Sequence, residues 1–520
     1  MRQKIRRERL PVPDSTARKT KALLLGVTLL AFALRLYHLS FQSLWRDEVD
    51  AVLFAQRDLP AILATFVQPG QNGPLYFLSL HFWLAAAGSS EFALRFFSLF
   101  FGLLTVPLLY ALDRRLLGVR AGLMAALLLA VSPYHVWYSQ EGKMYALVAF
   151  LAVLSLYLFS RALAENRWGW WLSYLAVAGL ALYVHFFAPL LILVALAWFL
   201  LSGRWRRPTL GRLALALAGL ALVALPIVRW LLPTLLTPAT TGYPFYGLGD
   251  MAAALFWAFS LGFRPQPGLL PLALFALLLL IGLLSEFESY FAAEKREPGQ
   301  DMSSLSHPHP PVPEPTKDQG LRTKRPLLAT WLVLPLLTVY LVCLYRPVFT
   351  DRYLILILPA FVLLLAAGLV NLAKRWPPLA ALALALVLLF SARGLWVQSQ
   401  TLIKADFRHA AQAFATQAQP GDPVLFVMPY AQRAFAYYHP QPLQVIEAPY
   451  TNYGLSETEL DVAMRQLTRG APRLWLLLSE ADFWDARGLI PAWCEAHARR
   501  LSSQTFPYVE LRLYALSPEQ

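Results

Sequence analysis

The feature that constrains the fold most is a succession of long apolar runs separated by short loops rich in Lys and Arg. An α-helix that crosses a bilayer needs about 20 apolar residues, and many of these runs come close to that length. Only 15% of the 520 residues are charged, whereas a soluble domain carries roughly 25%. The sequence therefore predicts a polytopic α-helical membrane protein.

The distribution of basic clusters decides which runs are counted as spans. Residues 74–88 form an apolar segment of only 15 residues. If this segment crossed the bilayer, Arg114-Arg115 and the basic residues 204–207 would fall outside; if it lies at the interface, they fall inside, as the positive-inside rule requires. Residues 251–263 are interpreted in the same way. About eleven spans remain, with the basic tail 1–20 in the cytoplasm and the C-terminus outside: 21–38, 92–112, 121–134, 144–163, 168–184, 187–201, 210–232, 269–284, 326–345, 353–372 and 377–396.

Charge and cysteine content exclude other classes of protein. The formal charge of +14 is divided among short loop clusters, without a basic stripe interleaved with aromatic residues. This pattern fits membrane orientation rather than nucleic-acid binding. The two cysteines, Cys343 and Cys494, cannot build a disulfide framework or a Cys-type zinc site. No small-residue cleavage site closes the first apolar run, so it is predicted to be a retained helix.

Two regions differ in composition from the membrane domain, which is predicted to cover residues 21–399. Residues 286–325 are Pro-rich, contain His307 and His309 and show no apolar period. They are interpreted as a disordered cytoplasmic loop rather than a metal site. In residues 400–520, strand-like runs at 424–428, 443–447, 473–478 and 508–515 alternate with helical stretches such as 404–417. This alternation predicts a small soluble α/β domain outside the membrane.

A cluster of acidic residues directly follows the first span, in the stretch Ser43-Leu44-Trp45-Arg46-Asp47-Glu48-Val49-Asp50. A Trp at the membrane boundary is ordinary anchoring. Three carboxylates within four positions are not, because charge beside hydrocarbon is costly and tends to mark a functional site. The first outer loop, residues 40–90, is therefore predicted to hold catalytic acids, with Asp47 and Glu48 as the candidates. The alternative is a hydrated acid pair at the membrane surface.

Further ionisable and aromatic residues are predicted at the same depth of the bilayer, on other outer loops. Each has an ordinary alternative as a helix cap, a satisfied interfacial residue or an anchoring cation. Their concentration on one face exceeds what anchoring requires. As candidates for binding the donor phosphate or substrate, the sequence offers Glu141, Lys143, Tyr145, His185, Arg346 and Arg352.

A chemical scheme connects these residues with the acidic loop. If the substrate is a sugar joined through phosphate to a polyprenyl chain, the bond to be broken lies at headgroup level. An acceptor hydroxyl that attacks the anomeric carbon needs a carboxylate to take its proton. The departing lipid phosphate gains negative charge and needs fixed cations or donors. The acidic residues after the first span offer the carboxylate that takes the proton. Cations and donors for the phosphate are offered by Lys143, His185 and Arg352.

The same residues carry a resemblance to membrane-embedded glycosyltransferases of the GT-C type. The sequence resembles the protein O-mannosyltransferase-like, aminoarabinose-transferase-like and RgtA/B/C/D-like enzymes over about residues 23–396. The matching pieces are Arg35-Leu36, Trp45-x-Asp47-Glu48, Gly73-Pro74-Leu75-Tyr76, Glu91-Phe92-Ala93-Leu94-Arg95, the block from Ser132-Pro133 to Tyr145, His185-Phe186-Phe187-Ala188, and Arg352-Tyr353 up to Pro359. A more usual form of the block has Ala-Arg where this chain has Gly142-Lys143.

This resemblance implies a polyprenyl-phosphate-sugar donor, a catalytic acid in the first outer loop and inversion at the anomeric carbon. By position, Asp47 matches the general base, and Glu48 helps to place an acceptor on a glycan, a lipid or a protein. Lys143 takes the place of the basic residue assigned to the phosphate. Distant relatives use a divalent metal bound by acids, and Asp47, Glu48 and Glu141 are the residues that would hold one here.

Two other classes of protein are weighed against the glycosyltransferase. A transporter or flippase of lipid-linked sugars would place ionisable residues at mid-bilayer on broken helices, often in repeated halves. The predicted spans here are nearly free of charge away from their ends and show no repeat. A polymerase or ligase of polyprenyl-linked glycans works on the same carriers and remains the nearer alternative. All three would be integral to the cell membrane, with the predicted site outside.

Overall fold

The computed structural model describes residues 15–66, 71–236, 243–263, 268–294 and 327–516. The predicted basic tail up to residue 14 and most of the predicted loop 286–325, including His307 and His309, lie outside these residues. The helices of the membrane part are α1 Ser15–Leu36, α2 Arg46–Ala55, α3 Leu59–Phe66, α4 Leu75–Ala87, α5 Glu91–Leu116, α6 Val119–Ala130, α7 Pro133–Ser139, α8 Tyr145–Glu165, α9 Trp168–Leu182, α10 Pro189–Ser202, α11 Arg207–Leu236, α12 Leu248–Leu261, α13 Leu269–Glu294, α14 Leu327–Tyr345, α15 Leu358–Arg375 and α16 Pro377–Gln400; a 3-10 turn, Asp351–Ile357, precedes α15.

Helix length and composition support a polytopic membrane protein. Within the described ranges, seven helices are long and apolar enough to cross a bilayer, or eight if the pair α6 and α7, bent by 62°, is one span. The helix α1 falls outside this count because only 13 residues separate Lys21 from Arg35. Helices α9 and α10 have 15 and 14 residues and reach only about 22 Å, less than the hydrocarbon thickness of about 30 Å. The predicted number of about eleven spans is therefore not confirmed.

Burial separates the centre of the helical bundle from its lipid-facing rim. The helix α15 with its preceding turn, and the helix α8, are the most buried of the candidate spans, whereas fewer than a third of the residues in the apolar windows of α11, α13 and α16 are buried. Helices that are apolar all round and exposed in this way are suited to contact with lipid. Helices α13 and α15 cross closely at Gly282 and Gly368, where an added Cβ would lie 2.1 Å from the carbonyl oxygen of Leu364 or Leu278.

The C-terminal part is built on a mixed five-stranded sheet. Its strands are β1 Pro423–Phe426, β2 Gln444–Glu447, β3 Arg473–Leu478, β4 Ala498–Phe506 and β5 Val509–Leu516, in the order β2-β1-β3-β5-β4. Strand β1 pairs in parallel with β2 and β3, and β5 pairs antiparallel with β3 and β4. The helices are α17 Phe407–Gln417, α18 Ala431–Tyr438, α19 Glu457–Leu467, α20 Asp482–Asp485 and α21 Leu489–His497.

The predicted α/β character of this part is confirmed, but one strand was missed. The strand β4 lies at an edge of the sheet and has the sequence Ala-Arg-Arg-Leu-Ser-Ser-Gln-Thr-Phe. Charged and polar residues are common on edge strands because they discourage pairing with other chains. The resulting low apolar content hides the strand from a search for apolar alternation.

Candidate active site

The first outer loop is centred on helix α2, which carries the two candidate acids in its first turn. Asp47 and Glu48 follow Arg46, the first residue of the helix. Carboxylates at a helix N-terminus are stabilised by the helix dipole. The two side chains have different surroundings: Glu48 is fully buried, whereas the Asp47 side chain is 19% exposed. This difference separates a structural carboxylate from an accessible one.

The Glu48 carboxylate is engaged from every side by the protein. Arg95 on α5 donates two hydrogen bonds of 2.9 Å, one to each carboxylate oxygen. The Gly142 N–H donates to Oε1 at 2.8 Å, and Lys404 Nζ lies 2.8 Å from Oε2. Burial would raise the pKa of Glu48, but the charges of Arg95 and Lys404 and these hydrogen bonds outweigh it and lower the pKa. Glu48 therefore ties four segments of the chain together as an ionised group.

Gly142 explains why this chain departs from the more usual Ala-Arg form. A Cβ at position 142 would lie 2.5 Å from the side-chain carbons of Leu94. Leu94 is fully buried on the same helix as Arg95. The backbone of the loop thus approaches α5 closely enough for its N–H to reach Glu48, and that approach requires glycine as long as Leu94 occupies the space.

Asp47 lies between two guanidinium groups. Its Oδ1 is 3.4 Å from Arg46 Nε, and its Oδ2 is 4.0 Å from Arg352 Nη2. The Arg352 guanidinium lies among three aromatic rings, with centroid distances of 5.3 Å to Trp45, 5.9 Å to Tyr145 and 5.9 Å to Tyr353. Aromatic faces attract and orient a guanidinium. The structure therefore brings three of the predicted site residues together: Asp47, Arg352 and Tyr145.

His185 joins this group through the ring of Tyr353. The ring centroids of His185 and Tyr353 are 5.3 Å apart, and those of His185 and Tyr145 are 6.2 Å apart. Burial, with the charge of Arg352, lowers the pKa of His185 to about 3, so the ring is neutral at ordinary pH. Since Nδ1 accepts a hydrogen bond from the Phe187 N–H at 3.2 Å, Nε2 carries the proton and is a donor.

Several buried polar atoms around Asp47 have no hydrogen-bond partner among the described residues. Buried polar groups in folded proteins are nearly always paired, and exceptions often mark functional sites. Glu141 is such a residue. Burial raises the pKa of its carboxyl group, the positive charge of Lys404 lowers that pKa, and the negative charge of Glu48 raises it further, so that the net shift is upward. The unpaired atoms are Trp45 Nε1, Glu141 Oε1, His185 Nε2 and Arg352 Nε. They offer both donors and an acceptor to a bound polar molecule.

The other two predicted cations, Lys143 and Arg346, lie in the loops before α8 and after α14. The Lys143 side chain is partly exposed and forms no ion pair within the described part of the chain, while its backbone carbonyl accepts a hydrogen bond from Ser98. Arg346 follows the last residue of α14 and is also partly exposed. The two cations within 4.0 Å of Asp47 are Arg46 and Arg352.

Sequence reasoning missed the contribution of the C-terminal part. Lys404, which precedes α17, pairs with Glu48 and lies 5.9 Å from the ring centroid of Trp45 and 5.2 Å from that of Trp137. Nearby, Ser43 donates to Asp406 at 2.8 Å, and Arg433 on α18 pairs with Asp50 at 3.2 Å. No local pattern marks Lys404, because its partner lies 356 positions earlier.

The acids that would hold a divalent metal do not fit that role. Within the ranges that the structure describes, no group of three or more His, Cys, Asp or Glu side chains is placed to bind a metal ion. The oxygens of Glu48 are already engaged by Arg95, Lys404 and Gly142. A metal at this place would compete with two buried cations for the same carboxylate, so we derive no step through one.

The sequence and the fold are similar to those of membrane glycosyltransferases. A family model described as dolichyl-phosphate-mannose-protein mannosyltransferase matches residues 71–231. No curated protein matches the sequence significantly. This family match includes four of the pieces that carried the resemblance: residues 73–76, 91–95, 132–145 and 185–188.

Two solved proteins share the fold over nearly the whole chain. ArnT from Cupriavidus metallidurans in the apo state has a TM-score of 0.59 at 15% identity, covering 97% of this chain and 99% of ArnT; ArnT bound to undecaprenyl phosphate has a TM-score of 0.57 at 14% identity, covering 96% and 98%. The Archaeoglobus fulgidus oligosaccharyltransferase, in complex with Zn and sulfate, has a TM-score of 0.53 at 15% identity, covering 95% of this chain and 73% of that protein. The resemblance to the GT-C type is thus confirmed.

Proposed function

We propose that this chain, a membrane glycosyltransferase of the GT-C type, moves a sugar from a polyprenyl-phosphate-linked donor to an acceptor hydroxyl with inversion. The observation that carries this proposal is the pair of Asp47 and Arg352, 4.0 Å apart and lined by buried polar atoms that have no hydrogen-bond partner among the described residues. At this spacing the carboxylate can take the proton of the acceptor hydroxyl while the cation stabilises the leaving phosphate. ArnT, which shares the fold, has been solved bound to undecaprenyl phosphate.

The proposed reaction is a single displacement at the anomeric carbon. The acceptor oxygen forms a bond to this carbon while the bond between the carbon and the phosphate oxygen breaks. The acceptor proton passes to the Asp47 carboxylate, which acts as general base. The electron pair of the broken bond stays on the polyprenyl phosphate. Attack from the face opposite to the leaving group inverts the configuration.

Arg352 and His185 are proposed to stabilise the leaving phosphate. The Arg352 guanidinium lies among Trp45, Tyr145 and Tyr353, and within the described ranges its buried Nε–H has no hydrogen-bond partner. His185 offers the Nε2 proton of a neutral ring. Donors that are fixed before the reaction stabilise developing charge without reorganisation. Both groups therefore favour departure of an anionic phosphate.

The remaining predicted residues are proposed to act around this centre. Glu48 is a positioning residue rather than an acceptor contact, because its carboxylate is fully buried and engaged. Glu141 is proposed to accept a hydrogen bond from a substrate hydroxyl through Oε1, which has no partner in the part of the chain that the structure describes. Tyr145 supports Arg352 through its ring. Lys143 and Arg346 are proposed to contact the substrate from the rim.

The topology that fits this function has about eleven spans, with Asp47 and the C-terminal part on the extracytoplasmic side. The basic clusters lie on the opposite side under this topology, in accord with the positive-inside rule. We place the membrane domain at residues 21–399 and the α/β domain at residues 400–520. The contacts of Lys404, Asp406 and Arg433 with the first outer loop support a location of both parts on one side.

A panel of donors tests the proposed function directly. Purified protein in lipid is incubated with polyprenyl-phosphate sugars, matched nucleotide sugars and a panel of glycan, lipid and peptide acceptors. We expect transfer only from polyprenyl-phosphate donors and not from nucleotide sugars. NMR of the product is expected to show inverted configuration at the anomeric carbon. Retention of configuration or use of a nucleotide sugar would contradict the mechanism. Movement of intact donor across vesicles without transfer would favour the flippase, and chain extension on the carrier would favour the polymerase.

The variant Arg352→Gln tests the phosphate assignment. We expect the rate of transfer to fall about 10- to 100-fold, the range for loss of a hydrogen bond to a charged group. Arg57→Gln is the control, since it removes the same charge from an exposed position of the first outer loop that the proposed reaction does not use. We expect the control to stay within a few-fold of wild type. Equal losses in both variants would show that loop charge matters and not the position beside Asp47.

A further inference from the structure

A basic cleft lies at the end of the bundle opposite to Asp47. Its volume is about 610 Å³, and its polar lining consists of Tyr110, Arg114, Arg115, Tyr157, Arg161, Glu165 and Arg167. It is formed by the C-terminal ends of α5 and α8 and the residues before α9. Four guanidinium groups face one carboxylate in a space large enough for a phosphate ester. The catalytic scheme uses none of these residues.

The length of the helices places this cleft on the other face of the membrane. Helix α5 has 26 residues and carries Arg95, which binds Glu48, near its N-terminus. At about 1.5 Å per residue it is about 39 Å long, so its C-terminal Arg114 and Arg115 lie a bilayer thickness from the site. Helix α8 runs in the same direction, from Tyr145 beside Arg352 to Glu165 in the cleft.

The cleft is a built site rather than a loose group of surface cations. Its carboxylate, Glu165, is engaged by Arg161 and accepts a hydrogen bond of 2.7 Å from Trp170 Nε1. The Arg161 guanidinium lies 4.0 Å from the centroid of the Trp170 ring and donates to the Tyr157 hydroxyl at 3.0 Å. These contacts neutralise the acid and fix the orientation of one wall. Arg114 and Arg115, at the end of α5, line the opposite wall. With four arginines and one glutamate in its lining, the cleft carries a net positive charge.

The depth of the cleft favours a lipid headgroup over a soluble ion. Tyr110 and Tyr157 lie well inside the candidate spans Glu91–Leu116 and Tyr145–Glu165. They are six and eight residues from the helix ends, so the cleft extends about 9 to 12 Å into the helices. Basic pockets between membrane helices on the cytoplasmic side bind the headgroups of anionic lipids. We propose that this cleft binds the phosphate of an anionic lipid in the leaflet opposite to the active site.

Native mass spectrometry and lipid titration test this site. Purified full-length protein is titrated with a phosphatidylglycerol, a phosphatidic acid, phosphatidylcholine and inorganic phosphate, as wild type and as the double variant Arg114→Gln/Arg115→Gln. We expect wild type to bind at least one of the two anionic lipids, but neither phosphatidylcholine nor inorganic phosphate. In the variant we expect binding about 25-fold weaker, since each cation near an anionic lipid contributes roughly a factor of five.

The double variant Arg206→Gln/Arg207→Gln is the matched control. It removes two adjacent arginines at the start of α11, which are exposed and lie outside the cleft. An equal loss in this control, or undiminished binding by the cleft variant, would overturn the proposal. Equal binding of inorganic phosphate would overturn the lipid as the source of the phosphate. If the double variant does not fold, Arg167→Gln removes an exposed arginine of the same cleft, with an expected loss of about five-fold.

Discussion

Replacing Asp47 by Asn is expected to lower the rate of sugar transfer by about two to four orders of magnitude, the range for loss of a general base. The amide keeps the size of the side chain but cannot take the acceptor proton. Asp47 is partly exposed, and its near partners are Arg46, which is itself partly exposed, and Arg352 at 4.0 Å. The amide is therefore expected to fold normally and to bind the donor with an affinity close to that of wild type. The measurements are initial rates with saturating donor and acceptor, together with donor binding at equilibrium.

Asp50→Asn provides the control for this experiment. Asp50 lies on the same helix, one turn after Asp47, and pairs with Arg433, whose side chain is 58% exposed. The substitution removes the same charge from α2 and leaves Asp47 untouched. We expect its rate to stay within a few-fold of wild type. If Asp47→Asn also stayed within ten-fold while donor binding was kept, Asp47 would not be the base, and Glu141 would become the carboxylate to test.

The sequence allowed the helical membrane fold and the acidic loop to be predicted, because both depend on local pattern. Apolar runs of near-spanning length predict helices wherever they occur. Charged residues beside hydrocarbon are costly, so the three carboxylates after the first span and the concentration of ionisable residues on one face stood out. The contact of Asp47 with Arg352 joins two loops that are far apart in the chain, and the common depth that the sequence predicted does not by itself bring them together.

The division of labour between Asp47 and Glu48 could not be predicted in this way. Both are acids at the start of one helix, and only the tertiary structure shows that Glu48 faces Arg95 and Lys404. Lys404 follows a helix at a position where a Lys is ordinary. Lys143 shows the reverse error: its motif position suggested a role at the centre, yet its side chain makes no ion pair in the part of the chain that the structure describes. The local sequence pattern therefore does not reveal which partner a side chain meets in the folded protein.

The second large expected effect concerns the stability of the folded protein and comes from the buried ion pairs of Glu48 with Arg95 and Lys404, here called the buried bridge. In Glu48→Gln, Arg95 and Lys404 lose their carboxylate while their side chains remain almost fully buried, at 1% and 8% exposed. Removing one partner of a buried ion pair costs about 3–5 kcal/mol. We expect the free energy of unfolding to fall by about that amount, measured by denaturant unfolding in mixed micelles. Transfer activity is expected to fall as well, because α2 carries Asp47.

The same bridge has a predicted dependence on pH. The pKa of Glu48 is lower in the folded protein than its ordinary value of 4.5. The unfolded state therefore binds more protons just below that value, and stability falls as the pH drops from about 4.5 toward the lowered pKa. Above pH 4.5 the contribution is fully present. Glu48→Gln is expected to remove this component, so its stability should change less than that of wild type over the same acidic range.

A double-mutant cycle with Lys404 separates the bridge from a general loss of packing. Lys404→Met keeps most of the side-chain volume and leaves Glu48 paired with Arg95 and Gly142, so we expect a smaller loss of about 1–3 kcal/mol. Once Glu48 is Gln, the buried ammonium of Lys404 has lost its carboxylate, and Lys404→Met should restore part of the stability. Such coupling is expected for residues in direct contact. Strict additivity would contradict the bridge, and would mean that the C-terminal part is held to the first outer loop by its other contacts, such as Ser43 with Asp406.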